Sequence, residues 1–331
     1  MALPAEAFDR AAEVLRDVGR AVLVCHVNPD ADAMGSMLGL GVFLSARGAE
    51  VWATVPNGLA DLPRWVESLP GRELLVAPGD LPKEPPVVVT LDAADLARLD
   101  GLDHLIERAG TSVCIDHHRT NPGFATINLI DPEAAATAEV VYRLMARIGG
   151  EIGPEAAACL YAGLVTDTGR FQFESATPEV LRIAADLRER TFDHSRLAQA
   201  LYEDNSLSYL RLLGTILERA KLVPEADLVW TWLTRKDLAG ARVAIQETDD
   251  VIDVLRTARE SDVAAVVKEQ RDGGFKVSMR SRGMTNVAAV AERFAGGGHR
   301  LAAGYTSKAT LEETGKALIA ALTEARAAAT T

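Results

Sequence analysis

Apolar runs that end in an acid or a histidine constrain this chain more than any other feature. Ala21–Cys25 leads into His26-Val-Asn-Pro-Asp30-Ala-Asp32, Pro85–Leu91 (PPVVVTL) into Asp92, and Ser112–Ile115 into Asp116-His117-His118. Short continuous apolar runs, without the alternation of a half-exposed strand, suit strands buried on both faces. Helical patterns lie between them. Residues 4–18 carry Phe8, Ala11, Ala12, Leu15 and Val18 on one face, and Gly19 stops that helix. Another helical pattern runs from Asp32 to about Arg47, with Gly48 as its stop, and Glu50–Val55 reads as the next strand. Strands alternating with helices predict an α/β fold with a doubly wound, mostly parallel sheet. In such a sheet the carboxyl ends of the strands form the ligand crevice. The acids and histidines would therefore meet there although they are far apart in sequence.

Beyond Asp116 the pattern turns helical, at about 136–149, 154–166, 177–189 and 206–221, with breaks at Asp131-Pro132 and Gly149–Pro154. Thr177-Pro178-Glu179 reads as an N-cap, a proline at the first helical position and an acid in the first turn. Near Lys221–Pro224 the character changes again. Asp227–Thr234, Asp262–Gln270 and Phe275–Arg280 read as strands, with Arg271-Asp272-Gly273-Gly274 as a hairpin turn between the last two. Helices near 248–258, 285–294 and 309–327 complete a smaller α/β unit. The expected organisation is a first domain over 1–204, a helical linker over 205–225 and a second domain over 226–331, in keeping with a length of 331 residues.

Net charge is −12, whereas a protein that clamps long duplex nucleic acid carries a basic stripe. The expected ligand is therefore small, held by local positive groups. Cys25, Cys114 and Cys159 are far apart in apolar runs with no C-x-x-C spacing, so free buried thiols in a reducing compartment are expected rather than a zinc ribbon. The amino-terminal twenty residues mix acids and arginines at helical spacing, unlike a signal peptide, and no apolar run approaches the ~20 residues of a membrane span. The expectation is a cytoplasmic protein with no membrane partner.

Six histidines in the whole chain make the adjacent pair His117-His118 notable. A further acid, Asp167, ends an apolar helical run in Leu164-Val-Thr-Asp-Thr-Gly-Arg-Phe171. Alone it reads as a capping residue, and it gains weight only by joining the others. His26, Asp30, Asp32, Asp92, His117 and Asp167 make two imidazoles and four carboxylates, too much negative charge to bury without cations. Two divalent ions sharing one carboxylate would neutralise the set. Nitrogen and oxygen donors with no thiolate favour Mn2+, with Mg2+ or Co2+ as alternatives. Downstream, Phe294-Ala-Gly296-Gly297-Gly298-His299 and Val277-Ser-Met-Arg280-Ser281-Arg282 offer a glycine-rich anion nest and phosphate-gripping arginines. His104 and His194, in polar helical contexts, read as ordinary surface or capping residues.

Together, His26-x-x-x-Asp30-x-Asp32, Asp92, Asp116-His117-His118 and Asp167-Thr-Gly-Arg-Phe resemble, in order and spacing, the motifs of the DHH phosphoesterase family. The Gly296–His299 stretch resembles that of the DHH-associated domain, with Ala295 where a fourth glycine often stands and little effect expected from the change. The resemblance covers about residues 20–306. It implies one ion on His26, Asp30 and Asp92, and a second on Asp32, Asp92, His117 and Asp167, with Asp92 bridging. It also implies that Asp116 orients the histidines, and that His118 faces the substrate phosphate with help from Arg119. Arg280, Ser281, Gly296, Gly297, Gly298 and His299 would hold the substrate from the second domain, with the active site in the cleft between domains. The pairing is similar to enzymes that hydrolyse nanoRNA of two to five nucleotides, 3′-phosphoadenosine-5′-phosphate (pAp), linear pApA or cyclic-di-AMP, and it implies a homodimer. A manganese-dependent inorganic pyrophosphatase would need a Ser-Arg-Lys-Lys-Gln cluster, which the chain lacks. A longer single-strand exonuclease would add a nucleic-acid-binding fold, and a non-catalytic nucleotide sensor would have lost ligands; none of the six is missing.

Overall fold

The computed structural model describes residues 5–60 and 62–330, and the chain divides into two compact units, Met1–Asp204 and Asn205–Thr331. In the first unit, α1 (Ala5–Arg16) precedes β1 (Arg20–Cys25), α2 (Ala31–Ala46) and β2 (Glu50–Thr54). After several single turns come β3 (Val87–Leu91), α3 (His104–Arg108), β4 (Thr111–Asp116), β5 (Ile127–Ile130), α4 (Thr137–Ile148), α5 (Pro154–Asp167), α6 (Pro178–Glu189) and α7 (His194–Tyr202). Residue 4 of the expected first helix lies outside the described residues.

The five strands are parallel, in the order β2-β1-β3-β4-β5. That order reverses direction between β1 and β3, the switch point at which such sheets bind ligands. All of β3 and the last five residues of β1 are buried. Ala21, Leu23 and Cys25 face one apolar core, while Val22, Val24 and Val88 face another that includes Leu99, Leu102 and Leu105. Burial on both faces is what the unbroken apolar runs require. β3 begins at Val87 rather than Pro85, since a proline has no N–H to give to the ladder.

Helices α2 and α5 touch at their backbones. A Cβ on Gly35 would lie 2.3 Å from the Cys159 carbonyl oxygen, and one on Gly163 would lie 2.6 Å from Asp32 Oδ1. Two glycines thus bring the amino end of α2, with Asp30 and Asp32, against the carboxyl end of α5, with Asp167.

The second unit contains α8 (Leu207–Glu218), β6 (Lys221–Val223), β7 (Leu228–Leu233), α9 (Arg235–Ala241), α10 (Val251–Leu255), β8 (Val263–Glu269), β9 (Phe275–Ser281), α11 (Val287–Glu292), β10 (Gly297–His299), β11 (Ala302–Ser307) and α12 (Leu311–Thr330). Its sheet runs β10-β11-β9-β8-β7-β6, antiparallel except for the β7–β8 pair. The expected hairpin turn is present: Gly273 has φ +82°, and the Gln270 N–H donates to Gly274 O at 2.7 Å. The segment anticipated as a linker helix, α8, is integral to this unit, with Tyr209, Leu212 and Ile216 buried among Val229, Leu233 and Val251.

The glycine-rich stretch differs from the loop expected. Gly297–His299 form the edge strand β10, paired with Ala302–Gly304. Cβ atoms on Gly296 and Gly298 would lie 2.3 and 2.5 Å from the carbonyl oxygens of Gly304 and Ala302, so both are required for this close backbone pairing. Ala295 is not the neutral substitution anticipated. It sits at φ +57°, where an L-residue's Cβ crowds the following carbonyl at a cost of about 1–2 kcal/mol. Ala295→Gly is therefore expected to raise stability by about 1 kcal/mol, measured by urea unfolding; a variant no more stable than the parent would contradict it.

Candidate metal centre

The site grows from three strand ends. His26 follows β1 directly. Its Nε2 lies 3.4 Å from Asp92 Oδ2 and 3.8 Å from Asp30 Oδ2, and its Nδ1 lies 2.8 Å from Val27 O. Asp30 is the N-cap of α2: its Oδ1 accepts from the N–H groups of Asp32 and Ala33, both at 3.0 Å, leaving Oδ2 to face His26. Asp32, 1% exposed, is held by the amino end of α4. Its Oδ2 accepts from Thr137 N–H at 2.6 Å, and its Oδ1 from Ala138 N–H at 2.9 Å and from the Ser36 hydroxyl at 3.2 Å. The orphan N–H groups of a helix start make a natural seat for a carboxylate.

Asp92 follows β3 at φ +58°, a conformation Asp tolerates better than most residues. Its Oδ1 accepts from the Thr137 hydroxyl at 2.9 Å and lies 3.6 Å from both His117 Nε2 and His118 Nδ1. His117 Nε2 also lies 3.3 Å from Asp167 Oδ2, while its Nδ1 faces Ala134 O at 3.3 Å. Asp116, fully buried, accepts from His117 N–H at 2.9 Å, from His118 Nδ1 at 2.8 Å and from the Asn121 amide at 2.6 Å. It thereby sets the His118 ring.

The donor set fits divalent cations. Separations of 3.3–3.8 Å between these nitrogens and oxygens exceed hydrogen-bond length, and they lie at or slightly above the roughly 3–3.5 Å between neighbouring ligands around an ion bonded at ~2.1 Å. Donor atoms of His26, Asp30 and Asp92 lie within 4.8 Å of one another, as do those of Asp32, Asp92 and His117, and those of Asp92, Asp116 and His118. Asp92 belongs to all three groups. Close packing of these acids and imidazoles shifts their pKa values. Burial opposes protonation of His26, but Asp30 and Asp92 raise its pKa to about 10. His117 is raised to about 9 against burial by Asp167 and Asp92. Burial pushes Asp32 well above the carboxylate range, assisted by Asp92 and Asp167. Asp167 is raised to about 7 by burial, with His117 opposing. Asp30 and Asp116 go the other way: against burial, His26 and His118 respectively hold their carboxyls below the usual range.

All six expected ligands and Asp116 and His118 are brought together, but Arg119 is not. Its guanidinium, 73% exposed, pairs with Glu133 Oε1 at 2.9 Å. In the second unit, Arg280 projects from β9 with its Nε 3.9 Å from Asp253. Ser281 departs from its expected role. It is buried and donates to Asp262 Oδ2 at 3.0 Å; the same carboxylate also accepts from the N–H groups of Arg282, Met284 and Thr285, so Ser281 braces a loop. Gly297, Gly298 and His299 are exposed along β10. His104 and His194 open helices α3 and α7, with Nδ1 of His104 2.8 Å from Gly101 O and Nε2 of His194 3.3 Å from the Tyr161 hydroxyl, in line with their ordinary reading. Sequence reasoning missed Thr137, Ala138, Asn121 and Arg98, whose Nη2 lies 2.8 Å from His26 Nδ1. The expected helix start at 136 was the one available sign of the first two.

A parallel 2-1-3-4-5 sheet with an Asp/His cluster at its switch point, joined to a second unit carrying a glycine-rich edge strand, defines a class: the chain belongs to the DHH family. Residues 20–164 match the DHH family N-terminal domain and residues 236–328 the DHHA1 domain. Over 300 residues, 90% of this chain and 87% of the relative, it is 38% identical to the bifunctional oligoribonuclease and PAP phosphatase NrnA of Thermus thermophilus. It is 26% identical to the cyclic-di-AMP phosphodiesterase GdpP of Geobacillus thermodenitrificans, over 87% of this chain and 44% of that protein. Among solved structures, an exopolyphosphatase-related protein from Bacteroides fragilis is similar with a TM-score of 0.90 and 27% identity, covering 99% of this chain and 98% of that one.

Proposed function

We propose that the chain is a two-metal phosphoesterase that hydrolyses short nucleotide substrates, namely nanoRNA, pAp, linear pApA or cyclic-di-AMP, to nucleoside monophosphates. The observation that carries this reading is the sharing of the Asp92 carboxylate among three donor groups. His26, Asp30 and Asp92 would hold one ion, and Asp32, Asp92, His117 and Asp167 the other. Ions held there would supply Lewis-acid polarisation of the phosphoryl oxygens and a more acidic attacking water. The protein's own part is to orient and to donate. With protons on Nδ1 aimed at Val27 O and Ala134 O, His26 and His117 turn their Nε2 lone pairs to the ions. Asp116 holds the His118 Nδ1 proton, so that His118 Nε2 faces the phosphate whose charge grows in the transition state. From the family resemblance, Arg280, Gly296, Gly297, Gly298 and His299 are read as the substrate-binding residues of the second unit.

The ions are read as Mn2+ from the mixed nitrogen and oxygen donors. The assembly is read as a homodimer from the family resemblance. The compartment is read as the cytoplasm, which the free, buried Cys25, Cys114 and Cys159 support. Among the described residues no helix is long and apolar enough to cross a membrane. The test is turnover of the four substrates side by side with Mn2+, then after exhaustive chelation. Mononucleotide release that stops on chelation and returns with Mn2+ is expected; release that survives chelation would overturn the proposal.

A further inference from the structure

We infer that Arg98 is a substrate-binding residue of the first unit, delivering its guanidinium to a phosphate of the bound nucleotide; this rests on the phosphoesterase reading above. Two neighbours compete for one nitrogen. His26 Nδ1 lies 2.8 Å from both Val27 O and Arg98 Nη2. A histidine that ligates through Nε2 keeps its proton on Nδ1, where Val27 O accepts it. Nδ1 then has no lone pair to offer, and a guanidinium only donates. In the ligating state Arg98 therefore faces a donor and needs another acceptor.

Among the described residues the Arg98 side chain makes no second hydrogen bond. Arg98 is exposed, and among the described residues no carboxylate makes an ion pair with it. Its backbone, by contrast, is fixed. The Arg98 carbonyl accepts from Val27 N–H at 2.9 Å, its N–H donates to Asp95 Oδ1 at 3.0 Å, and the adjoining Leu99 is fully buried. An anchored backbone beside a metal ligand thus carries a long, exposed side chain at the rim of the centre. The non-bridging oxygens of a phosphate ester offer paired acceptors that match the guanidinium fork. Arg119, the arginine favoured by sequence, is already engaged by Glu133.

The experiment compares wild type with Arg98→Ala and Arg98→Lys. Calorimetry first measures Mn2+ binding, then AMP binding to the Mn2+-loaded proteins. Arg98→Ala is expected to keep the wild-type Mn2+ stoichiometry and thermal midpoint while binding AMP at least about tenfold more weakly, and Arg98→Lys to recover part of the loss. In turnover the deficit should appear in KM rather than kcat. AMP affinity within twofold of wild type, or loss of Mn2+ from Arg98→Ala, would overturn the inference. Failure of the underlying reading is separable: wild-type protein that binds Mn2+ but hydrolyses none of the four substrates ends the phosphoesterase proposal, while AMP affinity still reports on Arg98.

Discussion

Asp92→Asn is expected to abolish Mn2+-dependent hydrolysis, with kcat lower by about a thousandfold or more, and to reduce the number of ions bound. Asparagine is the informative replacement. It keeps the volume of a side chain only 2% exposed, and its amide oxygen still accepts from the Thr137 hydroxyl. It also tolerates φ +58°. Alanine at that backbone would add about 1–2 kcal/mol of strain and mix a folding defect with a chemical one. Calorimetric titration with Mn2+ alongside the thermal midpoint of the metal-free protein separates the two. An Asp92→Asn protein with near-normal turnover and a full complement of ions would remove Asp92 from the centre of the site.

Gly35→Ala is expected to destabilise the first unit by about 2–3 kcal/mol through overpacking, with activity lower by about a hundredfold in what remains folded. The added methyl would stand 2.3 Å from the Cys159 carbonyl oxygen, a backbone atom that cannot rotate away. Relief comes only from parting α2 and α5, which moves Asp30 and Asp32 from Asp167. Gly214→Ala, on α8 with nothing within 4 Å of the new Cβ, is the control and should be neutral or stabilising. Thermal unfolding and Mn2+-dependent turnover of both variants decide; a Gly35→Ala protein as stable and active as its parent would show that the helices part without consequence.

The buried strands and the six clustered side chains were legible because strand-end acids stand out against apolar runs, and a parallel sheet sends them all to one edge. What stayed hidden depended on contacts between distant segments. The β5 stretch Ile127–Ile130 is four residues long and half-exposed, too short for its pattern to register. The β10–β11 pair is built from glycine and alanine, whose small side chains carry no alternation. Ser281 looked like a phosphate donor until the β8–β9 register, Val263 opposite Ser281, placed it beside Asp262. Arg98 sits in an unremarkable polar turn, and only the Val27–Arg98 backbone bond brings it to His26.

Asp32 has both carboxylate oxygens held by Thr137, Ala138 and Ser36. Its aim is set by the polypeptide before any guest arrives. A socket assembled in advance can exchange occupants without refolding, and ions of similar charge and ligand taste are then sorted by their abundance around the protein rather than by a change of shape within it.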